Sequence, residues 1–372
     1  MKVLFFLIPF LTLFFSSCGE RPWMPGMPLA KERVIIGVLH ISDPFVESSG
    51  YAFAHQSGIN QMQRQLGLED NQILYMTHVD YSNPMGAESA IRDLIARGAN
   101  IIIATSWGYM DSCEKLAEEH PSVIFAHASG YRNNDSNFTN YFGRVYQARY
   151  LSGIIAGAKT QTNRIGYVAA WGTSNSEVTG GINAFAMGVE RVNPQAEVYV
   201  KVTNSWFDPM GETSAARDLI NLGCDIIAQH VDTVNPQIEA ERAGVWGIGY
   251  NTDMSIDAPN AVLTSVYWDW GAYYIFLVQS VINGTFITMP WYGSLADGIV
   301  GLTPLSRIAQ IEPEYLRILE EDRRRIESGI FAVFEGLMET NDGRHIGREG
   351  TRLSDWEVQF GIDWYYRTIN EL

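Results

Sequence analysis

Residues 84–102, PMGAESAIRDLIARGANII, recur at residues 209–227 as PMGETSAARDLINLGCDII, without a gap and with twelve of nineteen positions identical. Each copy is written as a helix followed by a strand. A proline stands early, where its missing N–H is harmless, and apolar residues recur at helical spacing through Leu94-Ile95 and Leu219-Ile220. Gly98 and Gly223 stand where a C-terminal cap belongs, and residues 101–104 and 226–228 read as short buried strands of the kind found in parallel sheets. The pattern continues on both sides, with opening strands at 33–39 and 164–169 and later strands at 123–126 and 245–250. Two copies of a strand–helix–strand unit, 125 residues apart, predict two similar α/β lobes, since a solenoid needs more copies at a shorter period. Open parallel sheets place their loops at the strand C-termini, and paired lobes aim those loops at a shared cleft.

Composition fits this division. The chain has 372 residues, enough for roughly two domains at about 150 residues each, and its 46% hydrophobic content fills a core in each. A formal net charge of −16 argues against a nucleic-acid partner, which demands a surplus of Lys and Arg. No phosphate loop, dinucleotide fingerprint, zinc-protease helix, nucleophile elbow or calcium loop is present, so no catalytic set, cofactor or metal is expected. The seven histidines are scattered. His127 and His230 follow strands and read as hydrogen-bonded side chains at a sheet end. Cys113 and Cys224 lie in apolar surroundings and need not pair. Further helical stretches at 270–282 and 313–334 let the chain cross back, the first covering the first lobe and the second, with Arg323-Arg324-Arg325 on a solvated face, covering the second. The lobes are expected at 33–143 plus 256–288 and at 144–255 plus 289–340, with 341–372 as a C-terminal extension.

Residues 1–17 carry Lys2 and an apolar run from Val3 to Phe15 interrupted by Pro9, too short for a bilayer span of roughly twenty residues, and read as a signal peptide. Ser16-Ser17-Cys18 resembles the bacterial lipobox, although Phe15 replaces the usual leucine. On that likeness Cys18 is lipidated and residues 18–32 form a tether, giving an exported, lipid-anchored protein of the bacterial cell envelope.

Several segments together resemble the basic membrane protein family of substrate-binding lipoproteins of ABC importers: residues 104–111 (ATSWGYMD), 141–153 (YFGRVYQARYLSG), 203–209 (TNSWFDP), 248–254 (IGYNTDM) and, in the tail, 353–356 (LSDW) and 363–365 (DWY). The resemblance runs from about residue 33 to the end. It implies the type I periplasmic-binding-protein fold, two Rossmann-like lobes with parallel sheets joined by crossover hinges, and an ABC permease with its ATPase as partners. Within the family the strings resemble the purine-binding branch.

The residues point to an aromatic ligand independently. Tyr51, Phe53, Trp107, Trp171 and Trp206 fall at strand ends or adjoining loops of both lobes, where they can hold a planar base face-on. Asp232 and Asn251 follow strands of the second lobe and are placed to read a ring edge, because a buried carboxyl or amide penalises any ligand that leaves it unpaired. In nucleoside-binding relatives an Asp that holds the ribose aligns with Asn251 and a Lys that contacts the sugar aligns with Trp268, so both departures favour a free purine base over a nucleoside. The competing expectations are a nucleoside-processing enzyme and a surface or sensory lipoprotein of the same fold.

Overall fold

A computed structural model describes residues 23–372. The expected signal peptide, Cys18 and the start of the tether therefore lie outside the described residues. The first lobe is built from β1 (Ile36–Leu39), α1 (Tyr51–Leu66), β2 (Ile73–Met76), α2 (Pro84–Ala96), β3 (Ile101–Ala104), α3 (Met110–Glu119), β4 (Ile124–Ala128) and β5 (Phe138–Gly143). The second follows with α4 (Val145–Lys159), β6 (Arg164–Ala169), α5 (Ser176–Val192), β7 (Glu197–Val202), α6 (Pro209–Asn221), β8 (Ile226–His230), α7 (Asn235–Ala243), β9 (Trp246–Asn251) and β10 (Val262–Trp268). The chain then returns through α8 (Gly271–Asn283) and β11 (Trp291–Gly293) to β12 (Val300–Leu302) and α9 (Pro313–Glu327). It ends with the hairpin β13 (Glu335–Glu339) and β14 (His345–Arg352), the short helix α10 (Asp355–Phe360) and β15 (Ile369–Glu371).

The two copies of the repeat fold alike, and for the same reasons. Asn83 Oδ1 accepts from the Gly86 N–H at 3.2 Å and Asp208 Oδ1 from the Gly211 N–H at 3.0 Å, so each helix opens on a side-chain cap followed by proline. Gly98 and Gly223 close them at φ +99° and +95°, a region open to glycine without strain. Packing repeats too. A Cβ on Gly37 of β1 would lie 3.0 Å from Leu94 Cβ, and one on Gly166 of β6 would lie 2.9 Å from Leu219 Cβ, so helix and sheet approach equally closely in both lobes.

The first sheet has the order β11-β5-β4-β3-β1-β2 and is parallel throughout. The second has the order β12-β10-β9-β8-β6-β7-β15, with only the β12 edge antiparallel. The chain passes between the sheets from β5 to α4, from β10 to α8 and from β11 to β12.

This connectivity corrects the expected boundaries. Residues 262–268 pair with β9 in the second sheet, not the first lobe, and residues 291–293 pair with β5 in the first sheet, not the second. Residues 341–372 are no free extension, because β15 pairs with β7 and Trp364, Tyr365 and Ile369 are buried. The α8 helix does pack on α1 of the first lobe, and α9 packs on α4 of the second. The α9 helix stops at Glu327 rather than 334, with Gly329 at φ +71° just beyond it. Its polar face is solvated except for Asp322, which is buried and accepts from Tyr150 Oη at 2.9 Å and Arg191 Nε at 3.0 Å.

A candidate ligand cleft between the lobes

A cavity of about 640 Å³ opens between the lobes, lined by residues that follow the C-terminal ends of the strands. Ile41, Tyr81, Trp107 and Ser129 come from the loops after β1, β2, β3 and β4, and Trp171, Trp206 and Asp232 from those after β6, β7 and β8. The lobes meet at its rim, where a Cβ on Gly50 of the first would lie 2.8 Å from the Asp232 carbonyl oxygen of the second. Ten of the 25 lining residues are aromatic, and none is Lys or Arg, so the walls suit a planar, uncharged or cationic ligand and offer an anion no cationic side chain.

Of the residues singled out in the sequence, Tyr51, Trp107, Trp171, Trp206 and Asp232 line this cavity. Tyr51 starts α1, and its hydroxyl donates to the Thr105 carbonyl at 2.5 Å, which fixes the ring at the first lobe's edge. Three expectations need correction. Phe53 sits two residues along α1, about 200° around the helix axis from Tyr51, and does not line the cavity. Asn251 is fully buried behind the wall at φ +67° and donates from Nδ2 to Asp232 Oδ1 at 2.9 Å, so it orients the carboxyl. Trp268 is buried between Trp270, stacked at 4.5 Å, and Phe142 at 4.9 Å, and its indole N–H donates to Tyr250 Oη at 3.1 Å. It supports Tyr250, which does line the cavity.

The acidic chemistry is richer than the sequence indicated. Glu177, in the first turn of α5, joins Asp232 in the cavity wall. Burial pushes the Glu177 carboxyl up to about 8, with repulsion from Asp232 adding to the rise and Arg149 opposing it. Burial pushes Asp232 up to about 7, against the hydrogen bond from Asn251. His230 Nε2 lies 3.6 Å from Glu177 Oε1, yet burial and Arg149 hold the imidazole well below its usual range, so the pair is not an ion pair at neutral pH. His127 is a buried side chain with Nε2 2.8 Å from the Ser106 carbonyl oxygen. Cys113 and Cys224 are free and buried, and no cluster able to hold a metal occurs among the described residues.

Tyr81, Phe142, Tyr146, Tyr250, Tyr292 and Phe360 complete the aromatic lining. Tyr250 and Phe142 are the penultimate residues of β9 and β5, at strand C-termini that the sequence pattern marks. Tyr292 and Phe360 lie in crossover and C-terminal segments whose place depends on tertiary structure.

Residues 36–329 match the family model for PnrA-like ABC transporter substrate-binding proteins. The chain belongs to that family. A purine-binding protein of Brucella abortus is 31% identical over 346 residues, 93% of this chain and 95% of its own length. A protein of Haloferax volcanii, provisionally named an ABC transporter glucose-binding protein, is 33% identical over 314 residues, 84% of this chain and 78% of its own. An ABC transporter solute-binding protein from Conexibacter woesei has the same fold, with a TM-score of 0.68 at 19% identity over 80% of this chain and 98% of that one. The protein is thus a substrate-binding component, not an enzyme, whose partners are an ABC permease and its ATPase and whose work lies outside the cytoplasm. No helix among the described residues is long and apolar enough to cross a membrane.

Proposed function

We propose that this protein captures a purine, as the free base or a nucleoside, between its two lobes and hands it to the permease while Cys18 tethers it to the membrane by a lipid. The observation that carries the reading is the aromatic wall drawn from both lobes around two carboxyl groups. Trp107 and Tyr51 from one side and Trp171 and Trp206 from the other offer faces to a planar ring, at about 1–3 kcal/mol per stacked base. Stacking does not distinguish bases. Asp232 and Glu177 supply the edge readout: ionised, each accepts two ring N–H donors, and protonated, each pairs a donor with an acceptor, the pattern of an aminopurine edge. The absence of Lys and Arg from the lining disfavours phosphorylated nucleotides.

The likeness to a protein named for glucose makes a hexose the second reading. A hexose needs a paired donor or acceptor at nearly every carbon, and a wall with ten aromatic residues in 25 favours the planar ligand. Three tryptophans in the cavity make the test direct. Adenine, guanine or hypoxanthine, or one of their nucleosides, quenches the intrinsic fluorescence of the purified protein saturably. A saturable response to glucose with none to any purine overturns the reading.

A further inference from the structure

Residues beyond 329 lie outside the region that the family model matches, yet Val358, Gln359 and Phe360 of α10 form one wall of the cavity. The segment is fastened to the second lobe. The β15 strand extends that lobe's sheet, Asn183 of α5 donates to the Trp364 carbonyl at 2.8 Å and accepts from the Tyr366 N–H at 2.9 Å, and Arg367 pairs with Glu190 at 3.0 Å. Val358 is buried, and α10 packs on α5.

The opposite side of α10 meets the first lobe through rings. Phe360 lies 6.3 Å from Trp107 and 5.7 Å edge-on from Tyr131, and Trp356 lies 6.1 Å edge-on from Tyr131 and 4.4 Å from Phe360. Trp107 and Trp356 remain 48% and 61% exposed, so these contacts do not form a buried core. One end of α10 is tied to the first crossover. Arg144, between β5 and α4, donates from Nε and Nη2 to the two carboxylate oxygens of Asp355 at 3.0 and 2.6 Å, and from Nη1 to the Tyr292 carbonyl at 2.5 Å. The two-point Arg–Asp pairing fixes orientation as well as distance.

We infer that α10 is a ligand-retaining wall: it rides on the second lobe, meets Trp107 and Tyr131 when the lobes close, and sets the rate at which ligand leaves. The inference rests on the cavity being the ligand site. Aromatic pairs of this kind are individually modest, and Phe360 makes two across the lobes. Phe360→Ala accordingly raises the dissociation rate of a bound purine about tenfold and leaves association nearly unchanged, since affinity differences within one interface fall mainly on release. Asp355→Asn also speeds release. It removes the salt dependence that the partly exposed Arg144 pair imposes on the wild-type rate. Stopped-flow fluorescence reads both. Unchanged release in both variants overturns the inference.

A second measurement separates this result from the identity of the ligand. A Tyr131→Cys, Trp356→Cys variant treated with a short bismaleimide acquires an intramolecular crosslink, because the two rings lie 6.1 Å apart, edge-on, across the lobes. No crosslink means that α10 does not reach the first lobe, which overturns the wall. A wild-type protein that ignores every purine while the crosslink forms overturns the ligand reading alone.

Discussion

Trp206 and Asp232 are joined by more than the cavity they line, because the Asp232 N–H donates to the Trp206 carbonyl at 2.9 Å and ties the two loops together. Trp206→Ala removes one stacked face and weakens purine binding roughly 5- to 150-fold, whereas Phe53→Ala, off the cavity, leaves affinity within about twofold of wild type by the same titration. The carboxyls make a separate prediction. Glu177 and Asp232 keep their protons in the folded state up to about 8 and about 7, while in the unfolded chain such groups titrate near about 4. The folded protein therefore binds more protons through that window, and the contribution of these groups to stability falls as pH rises across it. Glu177→Gln melts at a higher temperature than wild type at pH 8, and the difference closes by pH 5. Equal melting temperatures at both pH values contradict the buried, proton-holding carboxyl. Asp232 was legible because it lies in the loop after a predicted strand. Glu177 was not, because it lies in a helix whose first turn faces the cleft only through the tertiary fold.

At the level of elements, the repeat carried most of the information. Proline, capping side chain, glycine stop and apolar strand recur in one order at both sites, and all are local signals that a sequence states directly. Asp208 is the carboxylate of the two caps, Asn83 being a neutral amide. Asp208→Ala lowers stability by about 1 kcal/mol, read as a lower denaturant midpoint with an unchanged slope. No shift in midpoint means that the helix does not depend on its cap. What the sequence did not disclose is which sheet each later strand joins. Val262–Trp268 and Trp291–Gly293 join the lobes opposite to those their place in the chain suggests, because their partners, β9 and β5, are chosen by tertiary packing and not by anything in the strands themselves. Ile369–Glu371 reads as part of an extension for the same reason, although a buried Trp364-Tyr365 pair anchors it.

For the whole molecule, three crossings between two sheets make a hinge, and the cleft they flank is lined from both sides. Ligand affinity in such a design comes from bringing the two walls together, so the closed form is the one that a bound ligand stabilises. Gly50 against Asp232 and the aromatic bridge from α10 are the contacts that join the two walls. Family membership fixes the transport role. The most direct test is competition. Unfolded and refolded to free it of any bound molecule, the protein is dialysed against equimolar purine bases, purine nucleosides and glucose, then desalted and denatured, and the released molecules are identified by mass spectrometry. A single purine, base or nucleoside, is expected at about one per chain. Retention of glucose, or of no purine, contradicts it.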